Sequence, residues 1–337
     1  MKNNSFFIKA SRFLICFVGY ALTIATVLLI LLAIIGQIVR DRTVELALLM
    51  YIPLVPLGLW AILLDLVQIG RSLPRLRFGL SLMGVAIFTW GTVSMMGMGS
   101  AEIQSEKQIS VLHWNVYWGG KRGSWHLIRH QIEQRQPDIA IISETPSKHR
   151  LNQLLNTLGW TTILYEDTRR NPLAICSLWP LKFERYLKIK DADAMTVIVT
   201  VQGHPLRVLA IDGKRNMSNK LAIISKPFLP RWRMPMLTDI VKTIETHHAI
   251  GQPIDIIAGD FNAISHSIGF DRFADASGGY HLASKFAWGW RGTWKSYLPL
   301  FDLDHIWIHK RFQGLRTELF TQKGSDHRGQ LVQFQLL

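Results

Sequence analysis

The sequence predicts an α/β fold of mixed sheets covered by helices, carried behind a block of three transmembrane helices. Three observations predict it. Near residue 101 the chain changes from long apolar stretches to a mixed composition. Beyond that point short β-branched runs alternate with segments of helical spacing. Finally, strand after strand ends in, or begins with, a polar residue able to do chemistry: Asn115, Glu144, Asp212, Asp260 with Asn262, Asp304, and Asp326 with His327.

The membrane block comes first. Apolar stretches cover Phe13 to Val39, Leu46 to Ile69 and Phe78 to Ala101, and each reaches the roughly 20 residues a helix needs to cross hydrocarbon. The first is too long for a signal-peptide core and no small-residue cleavage site follows it, so it is expected to remain as an anchor. Lys2, Lys9 and Arg12 precede the first stretch and Arg71, Arg75 and Arg77 follow the second. The intervening loop offers only Arg40 and Arg42, beside Asp41 and Glu45. Basic flanks stay in the cytoplasm, so the reading is an integral protein of the cell membrane whose domain from about residue 102 lies outside the cytoplasm. Asp65, an acid within a span, sits near the end of its segment and is expected to reach the interface. Cys16 and Cys176 are poorly placed to pair and fit no metal or redox spacing.

The domains then follow as 1–101 in the membrane, a polar link over 102–108 inside "SAEIQSEKQ", and a globular domain over 109–337. Eight Lys or Arg and three Asp or Glu precede residue 102, so of 38 basic and 24 acidic residues 30 and 21 remain. A net charge of +9 on the globular domain favours an anionic partner: nucleic acid, phospholipid headgroup or phosphorylated metabolite. It serves adhesion to an anionic membrane surface equally well.

Within that domain "QISVLHWN" reads as a strand ending at Asn115, Trp125 to Arg135 as a helix, and "PDIAIISET" as a buried strand ending at Glu144. Further strands are read at Ala174–Ser177, Met195–Val201 and Leu206–Ile211, with a helix over Met234–His247. The run Ile254–Ala258 in "IDIIAGDFNA" is a short core strand that leaves Asp260 and Asn262 at its carboxyl mouth, where ligands bind in open α/β sheets. The same two residues are also ordinary turn formers.

Together "LHWNVYWG", "PDIAIISET", "AGDFNA", "TW" followed by "LDHIWI", and "SDHRG" resemble, in order and rough spacing, the endonuclease/exonuclease/phosphatase superfamily of metal-dependent phosphoesterases. The resemblance runs over essentially all of residues 109–337. It implies a four-layer α/β/β/α sandwich with the site at one end of two packed sheets. It also implies roles: Glu144 as the acid binding a divalent ion, Mg2+ or Mn2+; Asn115 as the amide beside it; Asp326 near the metal and the transition state. Asp260 would orient or deprotonate the attacking water, Asn262 hold a phosphate oxygen, and His327, buttressed by Asp304, contact the scissile phosphate. These residue types suit that chemistry, since magnesium prefers oxygen ligands and an acid beside a histidine fixes the imidazole tautomer.

One position departs from the pattern. Many superfamily members end the strand written here "LRVLAIDGKRN" with a second histidine, and apurinic endonucleases with a tyrosine; this chain has Asp212. An ionised aspartate cannot donate to a phosphate and repels it. Asp212 therefore joins the metal site, pairs with Lys214 or Arg215, or simply ends the strand. Arg233 is read as packing behind the site. Trp288 and Trp290 are read first as buried packing, with a substrate platform or a membrane-facing patch as alternatives.

The expected function is a membrane-anchored phosphodiesterase hydrolysing nucleic acid first and a phospholipid headgroup second. No protein partner is expected. A catalytically silent anion-binding module is the rival from another class, kept open by Asp212.

Overall fold

Apolar sequence makes helix over most of the described residues in the first unit of the computed structural model, yet not three unbroken spans. The structure describes residues 2–67, 78–99, 108–120, 124–165, 173–214 and 232–335 and divides into two units, Met1–Met95 and Met96–Leu337. In the first, α1 (Lys2–Val39), α2 (Val44–Met50), α3 (Leu54–Val67) and α4 (Gly79–Met95) follow in order. Among the described residues, only Phe13–Val39 is long and apolar enough to cross a membrane by itself; α2 and α3 reach that length only as a pair bent by 57°. The bend corrects the expected second span, and its cause is Pro53, which lacks the N–H needed to continue α2 into α3. The third span is also shortened, to the 17 residues of α4, because Met96–Met98 leave the helix for a strand.

Helices α3 and α4 pack through small residues. A Cβ on Gly58 would lie 2.5 Å from the Phe88 nitrogen, and one on Gly91 2.7 Å from the Leu54 Cβ, so the two backbones touch. Asp65, near the end of α3, packs against the start of α4. It is 9% exposed, and its carboxylate accepts the Ser81 N–H at 2.8 Å, satisfying the first turn of α4.

The second unit starts with β1 (Met96–Met98) and continues as β2 (Gln108–Asn115), α5 (Trp125–Arg135), β3 (Ile139–Ser143), α6 (Lys148–Leu158), β4 (Thr161–Leu164) and β5 (Leu173–Ser177). Then come β6 (Leu181–Ile189), β7 (Ala192–Val201), β8 (His204–Gly213), α7 (Met234–Ala249), β9 (Ile256–Asp260), α8 (Asp271–Asp275) and β10 (Tyr280–Leu282). Last are β11 (Trp288–Trp290), β12 (Asp304–His309), β13 (Gln313–Phe320) and β14 (Gly329–Gln335). The strands form two six-stranded mixed sheets, ordered β13-β14-β2-β3-β5-β4 and β10-β12-β9-β8-β7-β6, and a ribbon of β1 with β11.

Each sheet holds one parallel pair at its centre, β2 with β3 and β8 with β9; its other pairings are antiparallel. A helix, α5 or α7, makes each parallel crossover, as such connections require. The central strands β2, β3, β8 and β9 are largely buried on both faces. Ile109, Val111, Ile139 and Ile141 meet Val197, Val208, Ile256 and Ile306 between the sheets. Leu112, Trp114 and Ile142 face Ile128 and Ile132 of α5, and Leu209, Ile211 and Ile257 face Leu237, Ile240 and Ile244 of α7. Helix, sheet, sheet, helix is the layering, and it explains why these strands read as continuous apolar runs.

Gly259 lets β8 and β9 approach at the critical end. A Cβ there would sit 1.8 Å from the Ile211 carbonyl oxygen, backbone that cannot step aside. Gly259→Ala is therefore expected to lower stability by about 3 kcal/mol, read as the midpoint of thermal unfolding. An unchanged midpoint would refute the close approach.

Candidate active site

Period-two alternation along the strands delivers the site. In β2, Ile109 and Val111 point between the sheets, so His113 and Asn115 continue on that face. In β8 the same series runs Leu206, Val208, Ala210 and then Asp212; in β9 it runs Ile256, Ala258 and then Asp260. From the other direction, β12 opens with Asp304 ahead of Ile306 and Ile308, and β7 places Asp193 ahead of Met195 and Val197. The polar residues therefore collect at one end of the sandwich, at the carboxyl ends of both parallel pairs, where an α/β sheet leaves a crevice.

Register makes the acids a row. Asp193 stands opposite Asp212, Asp212 opposite Asp260, and Asp260 opposite Asp304. Like charges in adjacent cross-strand positions destabilise a sheet, so the row needs compensation. His327 supplies part of it. Its Nδ1 donates to Asp304 Oδ2 at 2.8 Å, and its Nε2 lies 4.0 Å from Asp260 Oδ2. Asp260 is held on both oxygens: Asn115 Nδ2 donates to Oδ2 at 3.0 Å and the Asn262 N–H to Oδ1 at 2.8 Å.

The backbone around this core is also fixed. Tyr117 N–H donates to Asn115 Oδ1 at 3.0 Å. Ser325 Oγ donates to the Asn115 carbonyl at 2.6 Å and accepts from the His327 N–H at 3.0 Å, tying the loop before β14 to the end of β2. Thr293 Oγ1 accepts the N–H groups of Leu303 and Asp304. Glu144 and Asn262 both take positive φ, 46° and 48°, conformations that non-glycine residues adopt at a cost and that concentrate at functional sites.

Electrostatics separate the groups. Burial lowers a histidine's proton affinity, but the charge and hydrogen bond of Asp304, then Asp260 and Asp326, overcome it and raise His327 to about 10. Burial alone would raise Asp304, yet the His327 cation outweighs it and holds that carboxyl below the usual range. Asp260 is pushed up to about 7, by burial first and then by Asp304, against the pull of His327, the Asn262 N–H and the Asn115 amide. Asp212 is raised well above the ordinary carboxylate range by burial, then by Asp260, Glu144 and Asp193, with His327 opposing. On the far side of Asp304, His113 Nδ1 is 3.8 Å from Oδ1 and its Nε2 is 3.2 Å from Ser143 Oγ. Burial lowers His113 to about 4.

A divalent cation fits this donor set. Burial and neighbouring acids disfavour the charged forms of Asp212 and Asp260, a cost that a bound cation would offset, and Asp326 Oδ1 is buried with no hydrogen-bond partner. Carboxylate and carboxamide oxygens are the hard donors that magnesium or manganese takes. Asp260, Asp304 and His327 also offer ligand atoms within 4.8 Å of one another. There, however, the hydrogen bond between Asp304 and His327 already joins two of the three, which favours proton handling over ligation.

The structure therefore brings together Asn115, Asp212, Asp260, Asp304 and His327, with Glu144 close enough to raise Asp212 and Asp326 close enough to raise His327. Asn262 joins them chiefly through its backbone, since its side-chain Nδ2 donates to the Gly213 carbonyl at 2.7 Å. Among the described residues no cation pairs with Asp212: Lys214 is exposed and its carbonyl accepts from Arg233, while Arg215 lies outside the described residues. Arg233 is buried behind the site, donating to the Asn262 carbonyl at 3.0 Å. Trp288 corrects the packing expectation, being 84% exposed; Trp290 is partly buried. Sequence reasoning missed Asp193, His113 and Ser143. Strand alternation carried the signal for all three, because each continues an inward-facing series.

Comparison with known proteins agrees with this fold. The family model described as "Endonuclease/Exonuclease/phosphatase family" matches residues 112–327. No curated protein sequence matches the chain significantly. Among solved structures, the human Nocturnin catalytic domain with bound sulfate is 20% identical, with TM-score 0.52, 70% of this chain covered and 97% of that one. An endonuclease/exonuclease/phosphatase family protein from Bacteroides thetaiotaomicron is 15% identical, with TM-score 0.51 and coverage of 67% and 97%. TDP2 from C. elegans is 14% identical, with TM-score 0.50 and coverage of 69% and 77%. At these identities the structures attest the fold, and the matched model attests the family. The chain belongs to the endonuclease/exonuclease/phosphatase family, whose members hydrolyse phosphoester bonds.

Proposed function

We propose that this protein is a membrane-anchored, divalent-metal-dependent phosphodiesterase that uses water as the nucleophile. The observation that carries the reading is the array in which Asn115 and Asn262 fix Asp260 while Asp304 fixes His327, with His327 Nε2 4.0 Å from Asp260. Asp260, its proton affinity raised towards neutrality, is suited to orient a water and take its proton. His327, held protonated by Asp304, presents its Nε2–H to a non-bridging or leaving oxygen of the phosphate. Asp304 keeps the other imidazole proton in place. The main contribution of Asn262 is the backbone N–H that aims Asp260.

Glu144, the Asn115 carboxamide and Asp326 would hold Mg2+ or Mn2+, with Asp212 as an additional acid in place of the usual phosphate-contacting side chain. Such an ion, when bound, offsets phosphate charge and stabilises the developing oxyanion. The apolar α1 anchors the chain, with the second unit outside the cytoplasm. By charge alone nucleic acid is the first substrate class to test and a phospholipid headgroup the second.

Chelation is expected to abolish turnover, and added Mg2+ or Mn2+ to restore it. Even the loss of an outer partner of a metal site lowers affinity about tenfold or more, so Glu144→Gln should raise the half-saturating metal concentration by at least that factor. Turnover indifferent to chelator would overturn the metal assignment.

A further inference from the structure

The most exposed large hydrophobic side chains of the second unit, among the described residues, are Met98 at 89%, Trp288 at 84% and Tyr297 at 77%. They are not scattered. Met98 pairs with Trp288 and Met96 with Trp290 in the β1–β11 ribbon. Because directly opposed residues share a face, these side chains lie side by side. The ribbon touches the loop carrying Tyr297 and Leu298: the Trp290 indole donates to the Pro299 carbonyl. Leu298 adds a further exposed aliphatic group, at 58%.

This patch borders the active site. Ser296 N–H donates to the Asp326 carbonyl at 2.8 Å, and Ser296 Oγ to that of Ser325 at 3.1 Å. Trp294, at the base of the loop, bridges to His327. Basic groups stand beside the apolar ones: the Lys295 ammonium is 5.4 Å from the Trp294 ring, and Arg316 shares with Trp288 the lining of a groove of about 560 Å³, which Glu318 also lines.

From this arrangement we infer that the ribbon and the 295–300 loop form a bilayer-docking rim, which lays the mouth of the site on the lipid interface. Tryptophan and tyrosine with neighbouring lysine and arginine are the residues that settle at headgroup depth. Met98 and Leu298 offer a phosphate or a base nothing, but gain from acyl chains. The ribbon also starts at Met96, the residue after the last of α4, and the +9 charge of the domain draws it to anionic headgroups. Clustered as they are, such exposed apolar groups mark an interaction surface, where a lone exposed apolar side chain does not.

The test uses the full chain with Cys16→Ser, reconstituted in phosphatidylcholine/phosphatidylglycerol vesicles, and an environment-sensitive fluorophore on Trp288→Cys or Tyr297→Cys. Ile250→Cys is the control: it is 59% exposed and apolar, but follows α7 at the end away from the site. Quenching by nitroxide-bearing lipid is expected to be at least about threefold stronger at 288 and 297 than at 250. Equal quenching at the three positions would overturn the docking rim. A fourth label, at Ile24→Cys in α1, reads the anchor separately. Fluorescence reports position whether or not turnover occurs, so failure of docking and failure of hydrolysis are told apart.

Discussion

Asp260→Asn is expected to lower turnover by about 10³-fold while leaving the fold intact. The substitution keeps the size of the side chain and removes one acceptor. Asp260 now accepts from Asn115 on one oxygen and from the Asn262 N–H on the other. A carboxamide satisfies one of these donors and turns its own NH2 towards the second. The group that takes the water's proton is lost as well. Thermal unfolding should remain a single cooperative transition with a midpoint lowered modestly by the one lost buried hydrogen bond, and turnover should show the far larger loss. Retained turnover would remove Asp260 from the chemistry.

The second large effect is expected at Asp304→Asn. Asp304 is fully buried, accepts His327 Nδ1 and is the main group keeping His327 protonated at neutral pH. An amide in its place leaves burial unopposed by its strongest counter-charge, so the imidazole becomes neutral and its tautomer is no longer set. Losing the acid partner of a catalytic histidine costs about 10⁴-fold in a well-studied hydrolase triad, and a loss of about 10² to 10⁴ is expected here. The accompanying signature is a titration. In the parent, the folded value of His327 is raised, so its contribution to stability is fully present below the unfolded value of about 6.5 and is lost as pH rises through about 10. In the variant the imidazole should titrate well below 10 and that alkaline loss should disappear. Nuclear magnetic resonance of the histidine ring carbons follows the titration, and denaturant unfolding at a series of pH values follows the stability. A variant with unaltered titration would show that Asp304 does not control His327.

Much of the site was legible because its two ingredients are local. A β-branched run names a strand, and period two then says which residue at its end points inward; Asn115, Asp212 and Asp260 follow from that arithmetic. Motif order added His327, whose place beside Asp304 depends on a loop and on Ser325 and could not come from spacing. Asp193 follows from the same alternation but stands in none of the motifs, and His113, inside "LHWNVYWG", continues the inward-facing series of β2 just before Asn115.

What stayed illegible was decided by distant pairing. Hydropathy reads Phe78–Ala101 as one span, but Met96–Met98 are taken by a strand nearly two hundred residues further on, Trp288–Trp290. The same pairing brings Trp288 out onto an exposed ribbon when its residue type favours burial. Pro53 was visible in the second apolar stretch, and only its local effect on the backbone turns a continuous run into two helices.

One assay tests the proposed hydrolysis most directly: the 337-residue chain with Mg2+ or Mn2+, against a bis-aryl phosphodiester, plasmid DNA and phospholipid vesicles, beside Asp260→Asn and a chelated control. Metal-dependent release of product from at least one substrate, absent from both controls, is the predicted result. Equal product from parent and variant, or none from the parent on any of the three, would contradict it and leave the acid row at the end of the sandwich without a catalytic role.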